Sequence, residues 1–135
     1  MDRRAPMISL MRLLRFLAVW LFWPGVALIA WGELTPNPPA LTQHIWDKAE
    51  HFTAYFGLAV MATLVVGLRR ALAWAILGVI ALGGALEILQ GLLGRDAQLG
   101  DFIANTIGAL AGLAMAALFI RVTGGSRLVG GGRRH

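Results

Sequence analysis

The chain contains no cysteine and few charged residues. Of its 135 residues none is cysteine, and only 14% are charged. The absence of cysteine excludes disulfide bonds, thiolate catalysis and cysteine metal sites, and it leaves the redox compartment undetermined. With 58% hydrophobic residues and a mean hydropathy of +0.70, the composition lies far from that of a soluble domain. It predicts one integral membrane domain over residues 1–135.

Four apolar runs divide the chain, and each is long enough to cross a bilayer as a helix. We predict an all-α, polytopic four-helix bundle with helices at about residues 13–32, 49–68, 71–93 and 101–121. A proline-rich loop, 33–39, follows the first helix, because closely spaced prolines cannot continue a helix. The glycine- and arginine-rich residues 122–135 are predicted to form a flexible basic tail.

The first apolar run follows a basic segment, as the apolar core of a signal peptide does. A cleavage site needs small residues at its −3 and −1 positions, whereas here Leu28 precedes Ala30 and the bulky Trp31 follows. We therefore expect a retained first helix, kinked at Pro24 by the missing backbone donor. A cleaved signal peptide is the alternative.

The distribution of basic residues predicts the orientation in the membrane. Ten of the twelve lie on one side of the predicted bundle: Arg3, Arg4, Arg12, Arg15, Arg69, Arg70, Arg121, Arg127, Arg133 and Arg134. The positive-inside rule makes that side cytoplasmic, so both termini are expected inside and the loops 32–50 and 94–100 outside. Anionic lipid headgroups are then the expected partners of these charges. A nucleic-acid partner is not expected, because no domain is left to bind one.

Polar residues at the external ends of the apolar runs mark the candidate site, since a membrane helix retains ionisable groups only at a free-energy cost. They are Asp47, Lys48, His51, Tyr55, Glu87, Gln90, Arg95, Asp101 and Asn105. Asp47, His51 and Tyr55 follow i, i+4, i+8 spacing and share one helix face. Asp101 and Asn105 lie one turn apart on helix 4. We expect these polar faces to turn inward around one partly hydrated pocket.

Two glycines continue the polar face of helix 4. Gly108 and Gly112 form a Gly-xxx-Gly pair. Such a pair lets two helix backbones approach closely. The spacing therefore predicts that helix 4 packs tightly against a neighbouring helix.

Several of the charged residues also have a purely structural interpretation. Asp47 and Asp101 suit helix caps, because a carboxylate near a helix N-terminus is stabilised by free amides and by the helix dipole. Lys48 and Arg95 suit contacts with the membrane interface and with headgroup phosphates. For these four residues, capping and lipid contact remain alternatives to a functional role.

The other candidate residues also have structural interpretations. His51 and Tyr55 suit packing positions with satisfied polar atoms, and Gln90 and Asn105 suit hydrogen bonds between helices. Glu87 has the weakest structural explanation, because it lies inside an apolar run near the C-terminal, negative end of its helix. We expect it to need a partner or a proton.

Taken together, these residues resemble the motif of the VanZ-like membrane proteins. The matching positions, within residues 34–120, are Asp47, Lys48, His51, Tyr55, Glu87, Gln90, Arg95, Asp101, Asn105, Gly108 and Gly112. The resemblance implies a small multi-pass protein of the bacterial cytoplasmic (inner) membrane. It also implies a link to resistance toward teicoplanin-type glycopeptides. The loop between Arg95 and Asp101 lacks the serine or threonine of that pattern, so no hydroxyl nucleophile is expected there.

Two kinds of function fit the pattern best. In the first, the pocket binds or acts on an anionic, lipid-linked envelope molecule such as a polyprenyl phosphate. Lys48 and Arg95 would hold the phosphate, with further binding groups at Tyr55, Gln90 and Asn105. His51, oriented by Asp47 or Asp101, would be the general base or nucleophile, and Glu87 the general acid. In the second, the polar cluster is an interhelical latch in a non-catalytic subunit with a membrane-protein partner.

Two further possibilities are less favoured. A transporter would need a polar path, and the inner halves of helices 2 to 4 carry only Thr63. A divalent metal could be held by Asp47, His51, Glu87 and Asp101, but no His-x-x-x-His or Glu-x-x-His pair is present. We therefore expect neither a metal nor another cofactor.

Overall fold

Four α-helices make up the computed structural model, which describes residues 4–35, 44–95 and 97–123. The helices are α1, Arg4–Leu34; α2, His44–Val66; α3, Ala71–Leu92; and α4, Leu99–Val122. Each contains a segment of 20 to 29 residues that is long and apolar enough to cross a membrane. The predicted all-α class is confirmed, and the four helices form the bundle of a multi-pass membrane protein.

The first helix is longer than expected at both ends. It begins at Arg4 rather than near residue 13, and Pro6 lies in its first turn, where a missing N–H leaves no helical hydrogen bond unmade. The helix continues through Pro24 and ends at Leu34. Glu33, which the sequence placed in the proline-rich loop, therefore lies in the last helical turn. Most of that loop, and the predicted tail from residue 124 on, lie outside the described residues.

The N-terminal turns of α2 and α4 each contain an aspartate. α2 begins at His44, so Asp47 lies inside its first turn rather than at its cap. In α4 the N-cap position belongs to Gln98, and Asp101 lies in the first turn. Both carboxylates still face the positive end of a helix dipole, which stabilises them.

The closest helix pair is α2 and α4. A Cβ atom at Gly108 would overlap the backbone carbonyl of Phe52, and one at Gly112 would overlap that of Phe56. The two backbones thus touch along a full helical turn, as the Gly-xxx-Gly spacing predicted. This contact sets the separation between the polar faces of α2 and α4.

The other two helices, α1 and α3, differ in how much of their surface is buried against this pair. An apolar core of Leu58, Ala59, Ile76, Val79 and Ala109 joins α2, α3 and α4. In α1, only 6% of the membrane-spanning window is buried, against 33–39% in the other three helices. Its outward face is rich in exposed tryptophan and leucine, a surface that fits contact with lipid tails.

Candidate functional site

One end of the bundle, which we call the polar end, gathers a buried ionisable residue from every helix. These are Glu33 of α1, His51 of α2, Glu87 of α3 and Asp101 of α4, with side chains or whole residues no more than 9% exposed. Each helix runs opposite to the one before it, so the C-terminal ends of α1 and α3 lie beside the N-terminal ends of α2 and α4. The convergence follows directly from this up-and-down order.

His51 lies at the centre of the polar end. Its Nδ1 is 3.1 Å from Oδ1 of Asn105 and 3.3 Å from Oε1 of Glu33. Its Nε2 is 3.9 Å from Oδ1 of Asp47 and 4.0 Å from Oδ2 of Asp101. All four neighbours are acceptors, and those of Nδ1 are the closer pair, so we assign the proton of a neutral ring to Nδ1 and the lone pair to Nε2.

A lysine connects the buried aspartate to the surface. The Nζ atom of Lys48 lies 3.4 Å from Oδ1 of Asp101 and 3.5 Å from Oε1 of Gln98. The lysine side chain is 45% exposed, whereas that of Asp101 is 5% exposed. Gly100 leaves room for this approach, since a Cβ atom there would come within 3.1 Å of Nζ. Lys48 therefore forms part of the rim of the site.

Glu87 lies between the polar end and a groove on the outside of the bundle. Its Oε2 accepts a hydrogen bond of 3.2 Å from the backbone N–H of Gln98, while Oε1 has no hydrogen-bond partner in the described part of the chain. The groove has a volume of about 430 Å³ and is lined by Gly84, Glu87, Ile88, Gly91, Ala97, Gln98, Leu99 and Phe102. Glu87 is the one carboxylate in this largely apolar wall.

Two other predicted site residues contact the end of α1 rather than the histidine. The side-chain amide of Gln90 donates a hydrogen bond of 2.7 Å to the backbone carbonyl of Glu33, and Nη1 of Arg95 donates to the same oxygen. Carbonyls in the last turn of a helix have no partner within the helix. Gln90 and Arg95 therefore supply those donors, and the arginine also complements the negative end of the α1 dipole.

The base of the site contains buried polar groups without hydrogen bonds to the described residues. The Tyr55 hydroxyl lies close to the carboxylates of Glu33 and Glu87, but outside hydrogen-bonding geometry. The Nδ2 atom of Asn105 is also unpaired among the described residues. Both side chains pack over Gly83, where a Cβ atom would lie 3.0 Å from the tyrosine ring. Buried polar groups are nearly always paired, so the Tyr55 hydroxyl and Asn105 Nδ2 are candidates for a hydrogen bond to water or to a ligand.

Carboxylates outnumber permanent cations at the polar end. The carboxylates are Glu33, Asp47, Glu87 and Asp101, and the permanent cations are Lys48 and Arg95. The two glutamates lie near the negative ends of the α1 and α3 dipoles, which adds to the unfavourable charge. A proton on His51, or an added cation, would reduce this repulsion.

The structure brings the predicted residues together in two groups. Asp47, Lys48, His51, Asp101 and Asn105 form one contact network, with Tyr55 and Glu87 beside it. Gln90 and Arg95 belong to the attachment of α1.

Two contributors to the site were not predicted from the sequence. Glu33 was placed in the loop, although it is a carboxylate at the end of an apolar run, which is the same signal that singled out Glu87. Gln98 contributes mainly through its backbone N–H and its side-chain oxygen, and no sequence pattern indicates that role.

Comparison of the chain with protein-family models, with curated proteins and with solved structures finds no match. The interpretation of the polar end therefore depends on its own geometry.

Proposed function

We propose that this chain is a VanZ-like protein of the bacterial inner membrane that binds an anionic, lipid-linked envelope molecule at the external face and performs acid–base chemistry on it. Both termini are cytoplasmic in this proposal, because the basic residues follow the positive-inside rule. The polar end then faces the external leaflet. The observation that carries the proposal is the buried His51, with oxygen atoms near both ring nitrogens, at the end of the bundle where Glu87 lines a groove on the outer surface.

The groove between α3 and α4 gives a lipid-linked substrate lateral access. Its walls are apolar at Ile88, Leu99 and Phe102, which suits an acyl or prenyl chain, and Glu87 lies at its polar boundary. A lipid whose tail occupies this groove would bring its head group to the buried polar cluster. Tail and head would then each meet surfaces of matching polarity.

The head group would meet cations at the rim and titratable groups beneath them. Lys48 is the most exposed of the site cations, and an ammonium group on a flexible chain is well suited to phosphate. Nε2 of His51 is the candidate general base. Oδ1 of Asn105 is within hydrogen-bonding distance of Nδ1, and the carboxylate of Glu33, 3.3 Å from the same nitrogen, would stabilise the protonated ring electrostatically. Glu87 is the candidate general acid, because its Oε1 is free to carry a proton that donates to a leaving group.

A second candidate is the non-catalytic latch in an accessory membrane subunit. The observation that favours it is the pair of donors, Gln90 and Arg95, on the backbone carbonyl of Glu33. These contacts fasten α1 to the rest of the bundle and need no substrate to explain them. They leave the surroundings of His51 and the free oxygen of Glu87 unexplained, and this is why we rank the latch second.

A pair of glutamate-to-glutamine substitutions separates the two candidates. Glu87→Gln removes a buried carboxylate at the groove, whereas Glu50→Gln makes the same chemical change at an exposed position on α2. Each variant and the wild type would be expressed in bacteria at equal, verified membrane abundance. Polar and polyprenyl lipids would then be extracted and profiled by mass spectrometry against an empty-vector strain.

We expect wild type and Glu50→Gln to change the same lipid species, and Glu87→Gln to leave it at the empty-vector level. The changed species would identify the substrate class. An unchanged profile in all strains, or full activity in a folded Glu87→Gln variant, would contradict catalysis and favour the latch. The teicoplanin sensitivity of the same strains tests the resistance link that the resemblance implies.

A further inference from the structure

We propose that Asp47, His51 and Asp101 bind a divalent transition-metal ion, with Zn²⁺ as the best probe. The three side chains come from the first two turns of α2 and the first turn of α4. One ligand atom from each can be chosen so that all three lie within 4.8 Å of one another. One imidazole nitrogen and two carboxylate oxygens form a ligand set typical of zinc sites.

The distances fit a shared ion. Nε2 of His51 is 3.9 Å from Oδ1 of Asp47 and 4.0 Å from Oδ2 of Asp101. Two atoms that each bind zinc at about 2.1 Å are separated by roughly 3 to 4 Å. Both distances are too long for hydrogen bonds and lie at the upper end of this range. Binding an ion would therefore need small side-chain rotations that bring the oxygens closer to Nε2.

The other side of the imidazole has the geometry of a metal-bound histidine. Nδ1 faces Oδ1 of Asn105 at 3.1 Å and Oε1 of Glu33 at 3.3 Å. Histidine ligands generally donate this second N–H to a carboxylate or carbonyl, which fixes the ring and leaves the opposite lone pair for the metal. Glu33, from α1, and Asn105, from α4, occupy those supporting positions.

The surplus of buried carboxylates also favours a cation at this site. The side chain of Asp101 is 5% exposed, and its Oδ2 faces His51 Nε2 at 4.0 Å, beyond hydrogen-bonding distance. Both carboxylate oxygens of Glu33 are buried without hydrogen-bond partners among the described residues. A divalent ion would neutralise part of this surplus negative charge.

Lys48 is the permanent cation paired with one of the proposed ligands, Asp101, and this makes the proposal easy to test. Its Nζ lies 3.4 Å from Oδ1 of Asp101 and therefore competes with a metal for this carboxylate. With Lys48 on Oδ1, the other oxygen of Asp101 remains directed at His51. Removing the lysine charge should therefore strengthen metal binding. If the ion pair with Lys48 only held Asp101 in place, the same change should weaken any metal binding instead.

The metal site itself does not depend on the proposed function. Only a role for the metal in catalysis rests on that proposal. Three protein ligands leave a coordination position open, and a phosphate oxygen of a lipid-linked substrate could fill it. Metal binding itself requires no lipid substrate. A titration of the purified protein therefore separates failure of the metal site from failure of the proposed function.

The experiment uses the full chain, purified without a polyhistidine tag, stripped with a chelator and held in detergent micelles. Zn²⁺ affinity would be measured against a chromophoric chelator, and Co²⁺ spectra would report nitrogen and oxygen ligands. The variants are His51→Gln, Asp101→Asn, Glu33→Gln and Lys48→Met. Thr63→Val is the control, because Thr63 is buried on the same helix but bonds only to Ala59 of its own helix.

We expect one Zn²⁺ per chain in wild type and Thr63→Val, and no such binding in folded His51→Gln or Asp101→Asn. Glu33→Gln should weaken affinity about 10- to 100-fold, as loss of a supporting carboxylate does. Lys48→Met should bind about tenfold more tightly, since a nearby like charge is removed. No stoichiometric binding by wild type, or equal binding by folded His51→Gln, would overturn the proposal. Should the histidine and aspartate variants not fold, unchanged or weaker binding by Lys48→Met would overturn it instead.

Discussion

The two ends of the bundle bury different kinds of group. At the polar end His51 lies among three buried carboxylates, those of Glu33, Glu87 and Asp101, and the more exposed Asp47. At the opposite end the buried residues are apolar, as Met11, Leu64 and Ile120 illustrate, and the buried hydroxyl of Thr63 bonds to its own helix. The same four helices hold both ends, so the fold itself does not require buried charge. The proposed function accounts for this difference, because groups that bind or react must be kept at the polar end even at a cost in stability.

The largest effect is expected where the polar end depends on backbone contact. Gly108→Val should lower the free energy of unfolding by about 3 kcal/mol, because its side chain would overlap the Phe52 carbonyl and push α2 from α4. Gly57→Val is the matched control, since nothing lies within 4 Å of a Cβ atom there. Unfolding of the purified proteins in mixed micelles with increasing denaturing detergent measures both. Equal stability of the two variants would show that the close approach is not required.

Substitutions of one buried polar residue at each end should have different effects on stability. His51→Leu should lower the free energy of unfolding by about 2 kcal/mol, because Glu33 and Asp101 lose the polar partner that they surround. Thr63→Val, at the apolar end, should change it by less than about 0.5 kcal/mol, since this hydroxyl only bonds within its own helix. The same detergent titration compares them. If the threonine variant were the less stable one, the distinction between the two ends would fail.

The smallest effect concerns the attachment of α1. Arg95→Met should lower stability by about 1 kcal/mol, because Gln90 continues to donate to the Glu33 carbonyl. Arg12→Met, at an exposed position of the opposite end, should change it by less than about 0.5 kcal/mol. Limited proteolysis between α1 and α2 would report the loosening of α1. Identical digestion of both variants would contradict the role assigned to Arg95.

Sequence reasoning predicted the helices better than the contacts. Long apolar runs define spanning helices by length alone, and the Gly-xxx-Gly pair identified the tight contact of α4. The side-chain network was harder, because Glu33 belongs to a helix that continues up to the prolines, and its distance from His51 depends on how α1 packs. The three proposed metal ligands were among the residues considered as a metal set, but they come from two helices, and without a short metal-binding motif no metal was expected. The backbone N–H of Gln98, which binds Glu87, carries no sequence signal.

The hydrogen bond from Arg95 to the backbone of Glu33 joins residues 62 positions apart. During synthesis the first helix leaves the ribosome long before Arg95 does, so the Glu33 carbonyl must bond to water or to other groups until α3 and Arg95 have been inserted. The exposed tryptophans of α1, among them Trp20 and Trp23, suit a helix that is surrounded by lipid before the other helices are inserted. The polar end can be completed only when α4 arrives with Asp101 and Asn105. Order of synthesis thus makes it the last part of the bundle to assemble, and the growing chain carries no finished site before its fourth helix is in place.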